Sequence, residues 1–184
     1  MNSDKVDMEQ VLTFWFDEAG EAYWWVKDEA FDRLVEKRFA NTHRAAVRGE
    51  LFHWRATPRG RLAEVIAIDQ FSRNIYRDRP EAFAWDGMAL ALAQEAVAAG
   101  ADQALTPVER SFFYLPYMHS ESLIIHEQAL PLYQANGIAS GLDFEIRHRD
   151  IIARFGRYPH RNAIVGRESS PEEIEFLKQP GSSF

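Results

Sequence analysis

No cysteine occurs in the 184 residues, so disulfides, thiolate nucleophiles and cysteine-ligated metals are excluded. Nor is there an uninterrupted apolar run of membrane length; the nearest, from Ala82 to Ala99, is broken by Asp86, Gln94 and Glu95. The first ten residues, Met1 to Gln10, are acidic and carry no apolar stretch, which does not fit a secretory leader. Glycine-rich phosphate loops, the G-x-S-x-G serine elbow and H-E-x-x-H are all missing, so the chemistries those motifs serve find no support. An excess of positive charge is missing too. With 28 acids against 21 Lys and Arg the net charge is −7, which disfavours nucleic acid as a partner, because phosphate neutralisation supplies most non-specific affinity. These absences point to a cytoplasmic protein with no membrane or nucleic-acid partner, no cofactor and no metal site.

What is present is helical periodicity almost everywhere. Val6 to Asp17 places Met8, Val11, Leu12 and Trp15 on one stripe, and Asp28 caps a helix whose Phe31, Leu34, Val35 and Phe39 point inward. The aromatic run F-W-F from Phe14 and the pair Trp24-Trp25 read as core residues. Thr57-Pro58 starts a further helix. Asp78 with Glu81 reads as a capping box for an alanine-rich helix over 82–99. Thr106-Pro107-Val108-Glu109 and Ser170-Pro171-Glu172-Glu173 are cleaner capping boxes. Pro116 is expected to end or kink its helix near Leu115, and Pro131 to bend or break the helix over 121–134. Residues 137–141 read as a loop and Leu142 to Phe155 as a helix. The expectation is one all-α domain over 1–184, built from antiparallel helix hairpins stacked side by side.

One stretch breaks the acidic pattern. Residues 147–168 carry six arginines against Asp150 and Glu168, a basic island that needs counter-charges or an anion. Its helix turns His148, Ile151, Ile152 and Phe155 to one face, and Arg147, Asp150 and Arg154 to another as an ion-pair ladder. Upstream, Asp69 falls on the apolar stripe of its helix, where a carboxylate is costly unless paired; Arg73 is one turn away. If the two helices pack, Asp69, Arg73 and Asn74 face Arg154, Arg157, His160 and Arg161, and guanidinium groups suit carboxylate or phosphate. His119 beside Glu121 has the composition of a general base and its carboxylate at the rim of that pocket.

Two functional readings follow. In one, the pocket binds, or turns over, a small anionic metabolite, with Asp69, Arg73, Asn74, Arg154, Arg157, His160 and Arg161 lining it and His119 and Glu121 catalytic. In the other, the chain is a scaffold for a protein partner, and the arginines only satisfy helix ends and buried carboxylates such as Asp69 and Asp86.

Several blocks taken together resemble one family: F-W-F-D from Phe14, G-E-L from Gly49 with Trp54, and T-P-R-G-R-L-A from Thr57 running through I-D-Q-F-S-R-N-I-Y-R to Arg77. Y-L-P-Y-M-H-S-E from Tyr114, R-H-R-D-I-I-A-R-F-G-R-Y-P-H-R-N from Arg147 and the closing P-G-S-S-F continue the match. They resemble the bacterial family called domain of unknown function 924. The resemblance implies a tetratricopeptide-like right-handed superhelix and no particular reaction. Pro131 departs from the family's expected pattern.

Overall fold

In the computed structural model, residues 7–184 are described, and among them the chain forms nine α-helices and no strand. Met1 to Val6 lie outside the described residues. Asp7 and Gln10 form a capping box that opens α1 (Met8–Thr13). A wider π turn over Phe14–Ala19 follows and buries both Phe14 and Trp15. After the short α2 (Glu21–Trp24), Asp28 caps α3 (Glu29–Val47). Phe31, Val35, Phe39 and Ala46 form its buried stripe. Leu34 is exposed, since it sits about 100° round the helix from Val35. Trp24 packs on the core, whereas Trp25 is 61% exposed.

The middle of the molecule is α4 (Pro58–Ile75), capped by Thr57 and packed against α1, α3, α5 and α6. It is buried on nearly every side, as a helix in the centre of a core must be. Its buried polar side chains are therefore matched. Glu64 takes both arms of Arg55 at 2.7 Å, Ser72 meets His43 at 2.8 Å, and Asn74 donates to Asp32 at 2.8 Å. At Gly60 a Cβ would lie 2.0 Å from the carbonyl oxygen of Trp54, so only glycine permits that approach.

After α4 come α5 (Asp86–Ala98), α6 (Pro107–Met118), α7 (Leu123–Asn136) and α8 (Ala139–Phe155), each packed on the next, with α9 (Pro171–Leu177) at the end. Ala89, Ala93 and Ala96 let α5 approach closely.

Four expectations about element boundaries change. Asp78 adopts φ 59°, a left-handed conformation unlike an N-cap, and pairs with Lys27; α5 begins only at Asp86. Pro116 lies inside α6, where it removes one bond from the last turns, and the helix continues to Met118. Pro131 likewise sits inside an unbroken α7, held on both sides by buried Ala129 and Tyr133. The loop over 137–141 shrinks because α8 starts at Ala139.

Replacing Gly60 with alanine is expected to lower stability by about 3 kcal/mol, because a backbone oxygen cannot swing aside. A urea titration comparing midpoints at unchanged slope checks this.

Candidate functional site

Asp69 and Arg73 stand one turn apart on α4, with the Asp69 side chain completely buried. Its carboxylate accepts from His119 Nδ1 at 2.7 Å and from Gln70 Nε2 at 2.6 Å, with Arg73 at 3.2 Å. Burial alone would raise its pKa, yet Arg73 and His119 outweigh burial and hold the carboxyl well below the usual range. An ionised Asp69 can only accept, so Nδ1 of His119 carries the hydrogen and Nε2 is left with its lone pair. Burial and Arg73 lower the pKa of His119, keeping it neutral, despite the opposing pull of Asp69.

Asp86, the first residue of α5, receives Arg73 through two bonds of 3.0 Å and Arg161 at 3.3 Å. Thus α4 and the segment after α8 meet at one carboxylate. Arg161 also donates to the His119 carbonyl at 3.0 Å and lies over the rings of Phe83 and Tyr158, at 4.5 and 4.7 Å. Burial and the neighbouring Arg73 lower the pKa of Arg161, so its charge is incompletely compensated. Next to it, Glu121 takes both arms of Arg167, at 2.7 and 2.8 Å, and the Tyr158 amide at 2.7 Å. Burial raises the pKa of Glu121, but these donors bring it below the ordinary value.

The corner after α6 that carries His119 is pinned from behind. His126 Nε2–H donates to the Ser120 carbonyl at 2.9 Å, and its Nδ1 meets Glu145 at 2.7 Å, both side chains fully buried. Tyr158 donates its hydroxyl to the Met118 carbonyl.

In front of these groups lies an open cleft of about 250 Å³. Asp86, His119, Ser120, Glu121, Arg161 and Arg167 form its polar wall, and Phe83, Leu90, Pro116 and Val165 its apolar one. Nε2 of His119 has no hydrogen-bond partner among the described residues. Among the described residues no three His, Asp or Glu side chains gather as a metal site.

The model of the family described as bacterial protein of unknown function (DUF924) matches residues 11–181. The chain belongs to the DUF924 family. A solved structure described as a protein of unknown function from Agrobacterium tumefaciens is 40% identical and superposes with a TM-score of 0.89. That match covers 93% of this chain and 96% of the other. Among curated proteins, nothing matches.

Within this DUF924 fold, Asp69, Arg73, His119, Glu121 and Arg161 are gathered at or just behind the cleft. The other candidates stand elsewhere. Asn74 turns to α3, Arg154 pairs with Glu172 at the surface, and Arg157 grips Glu173 at 2.7 and 2.8 Å. His160 packs beside Tyr158 and Phe184, its pKa pushed down to about 4 by burial. Of the expected ladder, Arg147 pairs with Asp143 and Asp150 with Arg149. Arg167 and Ser120 line the cleft without having been singled out. Glu121 had been assigned to His119, and nothing local linked it to Arg167, 46 positions away.

Asp86→Ala is expected to cost about 3 kcal/mol, because it takes from Arg161 its carboxylate and from Arg73 one of two; chemical denaturation measures it. The stability that Glu121 contributes is present above its ordinary pKa of 4.5 and is lost as pH falls through the lower folded value. Glu121→Gln should therefore flatten the fall in melting temperature between about pH 5 and pH 3.

Proposed function

We propose that the cleft binds a small carboxylate with an apolar body. The observation that supports it most directly is Arg161: a guanidinium lying over two rings at the cleft wall, giving two of its five N–H hydrogens to acceptors among the described residues. An anion there relieves the repulsion from Arg73, and Phe83, Leu90 and Val165 favour a hydrocarbon portion over a bare phosphate. The ligand is a metabolite of the cytoplasm, where an acidic, cysteine-free chain is expected to reside.

A carboxylate at about 100 times its Kd adds about 2.7 kcal/mol of stability, which raises the melting temperature by about 5–10 °C for a chain of this size. The experiment is a thermal-shift series with aliphatic and aromatic carboxylates alongside inorganic phosphate. Arg161→Gln should abolish the shift while leaving a cooperative transition.

A second reading, the protein-binding scaffold in a tetratricopeptide-like superhelix, is favoured by a separate surface. Tyr23, Trp25, Val26 and Leu34 are all exposed, beside a hollow of about 300 Å³ lined in part by Phe14, Tyr23 and Phe31. A flat thermal response to every carboxylate would favour the scaffold.

A further inference from the structure

We infer that the bound carboxylate is a reaction product, and that the cleft hydrolyses its ester with His119 as the general base. The inference rests on the cleft reading above and goes beyond it by assigning a reaction. Three observations meet at one place. Asp69, completely buried, fixes the ring of His119 through Nδ1 at 2.7 Å. His119 lines the cleft, and its Nε2 has no hydrogen-bond partner among the described residues. Arg161, on the same wall, is tied to the His119 carbonyl at 3.0 Å, so the base and the guanidinium are held in fixed relation. A proton acceptor beside a fixed cation is the pair that water addition to a carbonyl requires. Ser120 is not placed as a nucleophile, since its Oγ accepts from the Ser122 amide at 3.2 Å and makes no bond to His119.

In the step, Nε2 takes a proton from water as the water oxygen bonds to the ester carbon. The carbonyl π electrons move onto oxygen, and the resulting oxyanion is met by Arg161. Collapse restores the C=O bond and breaks the bond to the alcohol oxygen, which receives the proton from Nε2. Ester and water give carboxylic acid and alcohol, and no other reactant is needed. Asp69 is a positioning residue. The charged and titratable groups around His119 are Asp69 and Arg73 on α4, Asp86 on α5, Glu121 on its own corner, His148 on α8, and Arg161 and Arg167 beyond it. Burial and Arg73 hold its pKa below the ordinary 6.5 against the opposing pull of Asp69 and Asp86.

The test uses the full chain with p-nitrophenyl butyrate, following nitrophenolate release, and with butyrate in the thermal-shift assay. His119→Asn keeps an N–H for Asp69 but has no base, so the rate should fall by about 10²-fold or more while butyrate still stabilises the protein. Gly87 lines the cleft, and a Cβ there meets no atom within 4 Å, so Gly87→Phe should fill the site and abolish both turnover and the butyrate shift. The wild-type rate should hold its plateau at and below pH 6.5 before falling in acid, the direction set by the lowered pKa of His119. Turnover that survives His119→Asn or Gly87→Phe overturns the inference. A butyrate shift without turnover overturns it and leaves binding standing; neither shift nor turnover removes both.

Discussion

Asp69 lies on a helix buried from all sides, and an ionised carboxylate taken out of water there costs several kcal/mol unless its lone pairs are met. Gln70, Arg73 and His119 meet them, and the arrangement of the cleft follows. Because Asp69 is held as an anion, His119 has one tautomer and one ring orientation. Because Arg73 is drawn toward Asp69 and Asp86 together, α4 and α5 are joined at their ends. Arg161 completes the chain by sharing Asp86, which brings the segment beyond α8 onto the same wall.

The basic island is resolved by distribution. Each of its six arginines has a carboxylate partner: Asp143, Glu127, Glu172, Glu173, Asp86 and Glu121 for Arg147, Arg149, Arg154, Arg157, Arg161 and Arg167 in turn. The pairs at Arg147, Arg149 and Arg154 are surface contacts, screened by solvent and weak in their effect on stability. Arg161 and Arg167 differ because they are partly or wholly desolvated and stand at the edge of an open volume.

Much of the architecture was legible in the residues. Capping boxes at Thr106 and Ser170, and the caps at Asp28 and Thr57, sit where their side chains and the following proline or acid place them. The anomaly of Asp69 on an apolar stripe was also readable, because periodicity assigns a residue to a face without knowing its neighbour. Tertiary packing decided the rest. Buried flanks carried α6 and α7 through Pro116 and Pro131, and the left-handed Asp78 moved the start of α5. Helical phase could not say which arginine meets which acid. Arg161 and Asp86 are 75 positions apart, and Arg157 is claimed instead by Glu173 on a helix that follows it.

The packing of Arg161 over Phe83 and Tyr158 has a thermodynamic corollary. A long side chain ordinarily surrenders about 0.5–1.5 kcal/mol of rotamer freedom when a guest immobilises it. Here the two rings have already frozen it, so that entropic loss is met during folding. Discrimination at this wall then falls to shape: a guest either fits a guanidinium that cannot turn to follow it, or is refused.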